Sequence, residues 1–124
     1  MIKTHKDLLV WKRSVDLATK IYSITEKFPK TEIYGLVSQM RRSAVSIPSN
    51  IAEGRSRGTR KDFAQFLRIA LGSTTELETQ TEISKNLKFL NESEYSQITS
   101  ETNEIGMMLR AIIRKLVLTS KLPA

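Results

Sequence analysis

The chain has 124 residues, 40% of them hydrophobic and 27% charged, a formal net charge of +7 and no cysteine. This length favours one domain, spanning residues 1–124, with a single modest core, and the composition is that of a globular chain rather than a disordered one. Disulfides, thiolate metal sites and a cysteine nucleophile are excluded, and no apolar run approaches the roughly 18–20 residues that span a bilayer.

Residues 1–13 carry positive charge but no long apolar centre and no small-residue cleavage site. They read as mature sequence rather than a signal peptide, which with the missing cysteines agrees with a cytoplasmic location. A first helix is expected from about Asp7 to Lys27. Leu8, Trp11, Val15, Ala18 and Tyr22 form its main apolar stripe, and Leu17, Ile21, Ile24 and Phe28 form a second about 100° round. Together they make a face wider than one neighbouring helix requires. Pro29 ends this helix, because proline biases Phe28 away from α conformation.

A second helix is expected from about Tyr34 to Ser56, with Leu36, Met40, Ala44, Ile47 and Ile51 inside. Pro48 cannot donate to the Ala44 carbonyl, so a kink or break is predicted. Gly54 and Gly58 then permit a left-handed terminus and a turn. Thr59 and Asp62 resemble a capping pair that opens a third helix, reaching about Leu87 on Phe63, Phe66, Leu67, Ala70, Leu71, Thr74 and Leu77. Lys88, Phe89 and Leu90 make a corner. Asn91 with Glu94, or Ser93, caps a fourth helix whose apolar positions are Tyr95, Ile98, Ile105, Met108, Leu109, Ile112 and Leu116. Short connections place consecutive helices antiparallel. The predicted fold is all-α: an up-down-up-down antiparallel four-helix bundle.

The charges are segregated along the chain. Arg41, Arg42, Arg55, Arg57, Arg60 and Lys61 stand against Glu53 alone in residues 41–61, whereas residues 76–104 are acidic apart from Lys85 and Lys88. Arg110, Arg114, Lys115 and Lys121 restore a basic C-terminal stretch. Such a pattern suits an anionic partner and equally suits self-association between unlike faces.

Catalytic signatures are missing. His5 is the lone histidine and lacks triad or zinc partners. The Glu-x-x-His pairs of di-metal bundles do not occur, and Gly54-x-x-x-Gly58 leads into Thr59-Arg60 rather than the Lys-Ser/Thr of a phosphate loop. No metal or other cofactor is expected.

Two constellations remain. Gln39, Ser43, Ser46, Asn50 and Glu53 share one face of the second helix, and Ser73, Glu76 and Gln80 share one face of the third. They read either as a structural hydrogen-bonded network, within the bundle or between subunits, or as a polar pocket with Glu53 or Glu76 as an acid–base group. Arg55, Arg57, Arg60 and Lys61 cluster at the second turn, with Arg41 and Arg42 almost four turns back. Arginine forks fit phosphate oxygens, so this cluster reads as a nucleic-acid contact. It reads equally as a solvated turn bridged to the acidic stretch of another subunit. Trp11, Tyr22 and Tyr34 read as core or interface anchors, which leaves few exposed aromatics for stacking on single strands.

The stretches Tyr34-Gly35-Leu36, Gln39-Met40-Arg41-Arg42-Ser43-Ala44-Val45-Ser46-Ile47-Pro48 and Asn50-Ile51-Ala52-Glu53-Gly54 resemble the signature of the 23S ribosomal RNA intervening-sequence proteins. Asp7-Leu8-x-Val10-Trp11, Asp62-Phe63-x-x-Phe66-Leu67, Ala70-Leu71-Gly72-Ser73, Glu76-Leu77-Glu78-Thr79-Gln80 and Glu104-Ile105-Gly106-x-Met108-Leu109 extend the resemblance over roughly residues 6–118. It implies a four-helix bundle assembled as a homopentamer with a central channel. It is also similar to the accessory variability protein of diversity-generating retroelements, which implies RNA or DNA, and a protein partner, as ligands. The leading expectation is thus a non-enzymatic ring that binds nucleic acid through phosphates. The alternative is a protein-interaction scaffold whose charges serve assembly or a protein partner. An enzyme built on Glu53, Glu76 and Asn50 is a third, with no recognisable chemistry to go with that set.

Overall fold

A computed structural model describes residues 4–121; the expectation for residues 1–3 of the N-terminal segment and the side chain of Lys121 lie outside this description. After a 3₁₀ turn at His5–Asp7, four helices follow: α1 (Leu9–Thr25), α2 (Leu36–Ser56), α3 (Arg60–Asn86) and α4 (Glu92–Lys121). A second 3₁₀ turn, Lys30–Glu32, joins α1 to α2. The described residues contain no strand. Each helix packs on two neighbours, α1 on α2 and α4, and α3 on α2 and α4, so the bundle is square in section. The all-α four-helix expectation holds.

The helix ends follow local chemistry. Thr59 caps α3, its Oγ1 accepting from the Asp62 N–H at 3.1 Å. Asn91 and Glu94 cap α4 reciprocally. The Asn91 Oδ1 accepts from the Glu94 N–H at 2.7 Å, and the Asn91 N–H donates to the Glu94 Oε1 at 3.0 Å. The α3 helix closes when the Phe89 N–H reaches the Ser84 carbonyl at 2.9 Å, with Lys88 in the left-handed region at φ 66°. Gly58, at φ 86°, makes the turn between α2 and α3.

The core is built from Leu17 and Ile21 of α1, Met40, Ile47 and Ile51 of α2, Leu67 and Leu77 of α3, and Ile98, Ile105 and Leu109 of α4, all fully buried. Buried hydroxyls donate back into their own helices, as Thr25 does to the Ile21 carbonyl and Thr102 to the Ile98 carbonyl. Along the α1–α4 seam Arg13 pairs with Glu104, Lys20 with Glu101 at 2.7 Å, and Lys27 with Glu94. The basic rungs recur every seven residues, two helical turns, so they stay on one edge.

Three expectations change. The break allowed for at Pro48 does not occur: helix α2 runs through it, and Pro48 itself is buried, so packing holds the segment where one hydrogen bond is missing. Gly54 is not a terminus. It is buried within α2, and a Cβ there would lie 2.5 Å from Phe66 Cβ, so α3 approaches closely at this point. On α1 the second stripe, with Val10, faces the core, while the first stripe divides: Leu8 and Ala18 are buried, and Trp11, Val15 and Tyr22 lie toward the edge. Trp11 is half-buried against the core, and Tyr22 is exposed. The physical reason is that α1 has two neighbours, and the bundle axis runs between the two stripes.

Candidate nucleic-acid interface

The antiparallel arrangement brings the start of α1, the end of α2, the start of α3 and the end of α4 to one pole. Leu8, Arg55, Gly58, Thr59, Arg60, Phe63 and Leu116 line a single pocket of about 260 Å³ there. The elements that meet at this pole carry Lys6, Lys12, Arg13, Arg55, Arg57, Arg60, Lys61, Arg68, Arg110, Arg114 and Lys115. Acidic residues Glu82, Glu92 and Glu94 lie at the end of α3 and the start of α4, at the opposite pole, together with Lys85 and Lys88, while Glu76 and Glu78 lie on the half of α3 that leads there. Charge segregated along the chain becomes charge segregated along the bundle axis.

Not every cation at the basic pole is available to a ligand. The Arg57 Nε donates to the Glu53 Oε2 at 2.9 Å, and its guanidinium lies 5.0 Å from the Phe66 ring centroid. Arg13 is paired with Glu104. Arg55 is half-buried and has an interaction of its own. Arg60, Lys61, Arg68, Arg110 and Arg114 are exposed, and among the described residues nothing bonds to their side chains. Arg110 follows the α3–α4 seam. A Cβ on Gly106 would lie 3.5 Å from its guanidinium and 3.9 Å from Leu71 and Thr74 of α3. Arg68 stands one turn before Leu71, on the same side of α3.

Of the residues expected from sequence, Arg55, Arg57, Arg60 and Lys61 therefore gather at the pole, but Arg57 is held by its neighbours. Sequence reasoning left out Arg68, and placed Arg110 and Arg114 in a basic stretch without joining them to the turn. The signal was present in the topology: short loops already imply that the end of α4 returns beside the α2–α3 turn.

Arg41 and Arg42 do not join this pole. They lie roughly 20 Å back along α2 from Arg55. Arg41 stacks on Tyr22, 4.5 Å from the ring centroid, and donates to Thr25 Oγ1 at 3.0 Å, the Tyr22 carbonyl at 3.2 Å and Glu26 at 3.3 Å. Arg42 is exposed, and among the described residues nothing bonds to it. Around this pair Tyr22 is 45% and Tyr34 94% exposed. Neither ring is a core anchor: Tyr22 lies on the outward side of α1, and Tyr34 lies in the turn before α2.

The polar stripe divides. Ser73 of α3 donates to Ser46 Oγ at 2.8 Å, and Asn50 Nδ2 donates to Ser46 Oγ at 2.9 Å and to the Ser46 carbonyl at 2.8 Å. These three residues bridge α2 and α3. Glu53 turns to Arg57, and Glu76 and Gln39 are exposed. Ser43 is buried, and Gln80 holds a buried Oε1 with no partner among the described residues. Glu53, Glu76 and Asn50 do not converge on a common point of chemistry. Among the described residues no cluster of His, Cys, Asp and Glu has metal-binding geometry, and no helix is long and apolar enough to cross a membrane.

The comparisons agree with this architecture. The family model for 23S rRNA-intervening sequence proteins matches residues 6–111. A crystal structure at 1.70 Å of a protein of unknown function from the S23 ribosomal protein family of Bacteroides thetaiotaomicron is similar, with a TM-score of 0.77 and 28% identity over 85% of this chain and 98% of that one. No curated protein sequence matches the chain.

Proposed function

The chain belongs to the 23S rRNA-intervening sequence protein family, and from that premise we propose that it is a non-enzymatic protein that binds RNA or DNA through phosphate contacts at its basic pole. The observation that carries the reading is that exposed, unengaged Arg60, Lys61, Arg68, Arg110 and Arg114 share the half of the α3–α4 pair that leads to this pole. Guanidinium forks donate bidentately to phosphate oxygens without reading sequence. The α3 N-terminus adds partial positive charge beside Arg60.

A few phosphate contacts bind weakly. The homopentameric ring implied by the family resemblance would repeat the pole and raise affinity through effective concentration. The cysteine-free composition fits a cytoplasmic setting. The polar groups of α2 and α3 support a structural rather than catalytic role, since Glu53 is committed to Arg57 and Asn50 to Ser46.

Light scattering and fluorescence anisotropy with generic RNA and DNA duplexes across a salt series test this. The expected result is a pentamer mass and an affinity that falls steeply with salt. The combined Arg60→Ala, Arg68→Ala, Arg110→Ala variant flattens the log–log salt slope by about 2–3. Binding indifferent to salt, or none at low salt, overturns the reading in favour of a protein-interaction scaffold.

A further inference from the structure

The α1–α2 edge holds a groove of about 520 Å³, within the range of about 300–1,000 Å³ typical of sites for small organic groups. Tyr22, Tyr34, Val45, Arg41, Arg42 and Ser46 are among its lining. Tyr34 lies between the second 3₁₀ turn and α2, where its ring makes almost no contact with the protein. Tyr22 is held in place by the Arg41 guanidinium. We propose that this groove binds single-stranded nucleic acid, with Tyr34 and Tyr22 as stacking platforms and Arg42 as the phosphate contact. The proposal rests on the nucleic-acid reading above and adds a strand type and a second site, away from the basic pole.

Charge selects this occupant over an apolar peptide. The two acids beside the groove are already engaged: Glu26 with Arg41, and Glu32 Oε1 as acceptor of the Leu36 N–H at 3.1 Å. Arg42 is left as an unengaged cation lining the same groove as the two exposed tyrosines. A ligand matched to both features is flat, aromatic and anionic. Unpaired bases offer π faces to tyrosine and to guanidinium planes, while bases in a duplex are already stacked on one another.

The test compares Tyr34→Phe, Tyr34→Leu and Arg42→Gln with the unmodified full chain. The probes are a short fluorescein-labelled oligo(dT), the matching oligo(U) and a duplex of equal length, with light scattering on each protein. Tyr34 buries almost nothing, so its variants keep the core intact. The expected result is a loss of about tenfold in single-strand affinity for Tyr34→Leu, a loss for Arg42→Gln, retention for Tyr34→Phe and unchanged duplex binding. Leucine keeps apolar surface but no π face, so single-strand binding that survives in Tyr34→Leu overturns the proposal. A change in assembly mass without a change in strand affinity also overturns it and makes the groove a protein contact. If duplex binding with its salt dependence persists in either case, the basic-pole reading stands. If neither probe binds at low salt, both readings fall together.

Discussion

Gly54 and Gly72 show how one residue type takes opposite roles in neighbouring helices. At Gly54 an added Cβ would meet Phe66 Cβ at 2.5 Å and Phe63 Cδ1 at 3.3 Å. Both are fixed by the α2–α3 contact, so neither can yield cheaply. Gly54→Ala is expected to destabilise the fold by about 1–3 kcal/mol through overpacking. Gly72 has nothing within 4 Å of the same position and lies in the interior of α3. Gly72→Ala is expected to stabilise by about 0.5–1 kcal/mol, because alanine loses less backbone entropy in a helix. Urea unfolding of both variants checks the pair. Equal effects of one sign would contradict the packing argument. Sequence offers Gly54 as a helix end and gives Gly72 no special place; only the second helix laid across Gly54 shows it to be a packing contact.

At the scale of the element, α4 depends on its first turn. Burial opposes ionisation of Glu94, yet the Lys27 hydrogen bond, the Asn91 N–H and the Lys27 charge outweigh it, and the carboxyl titrates below its usual value of about 4.5. A depressed folded-state value means that ionised Glu94 contributes stability above the unfolded pKa. That contribution is lost as pH falls through the folded one. Glu94→Gln is expected to cost about 0.5–1 kcal/mol at pH 7, a modest figure because Lys27 is 62% exposed and its charge is screened by solvent. Thermal unfolding at a series of pH values checks this: the gap between variant and wild type should narrow as pH falls below the usual carboxylate value and through the lowered one. A gap independent of pH would assign the effect to packing instead. The Asn91–Glu94 cap was legible in sequence because it is local. The partnership with Lys27 was not, although Arg13, Lys20 and Lys27 recur at heptad spacing opposite Glu104, Glu101 and Glu94.

For the whole molecule, what matters is where charge lies rather than how much there is. Arg68→Glu and Lys88→Glu change the net charge equally. Both positions are exposed on or just after α3, but the first is near the basic pole and the second at the acidic one. If phosphates dock at the basic pole, Arg68→Glu should weaken duplex binding severalfold more than Lys88→Glu at the same salt concentration. Anisotropy titrations measure the difference. Equal losses would mean that the net field, not a located interface, governs association.

The sequence by itself determined four helices, their caps and corners, and most of their buried positions. Those features rest on periodicity and on hydrogen bonds spanning only a few residues. It also carried a family signature strong enough to foretell the bundle. The tertiary structure decided which stripe of α1 faces inward, since that depends on where α2 and α4 lie. It made Gly54 a point of helix contact, and it divided the arginines into those spent on neighbours, such as Arg41 and Arg57, and those left to solvent. It also joined three basic segments, distant in the chain, at one pole. A charge interacts through space and not along the backbone, so no local pattern could assign its partner.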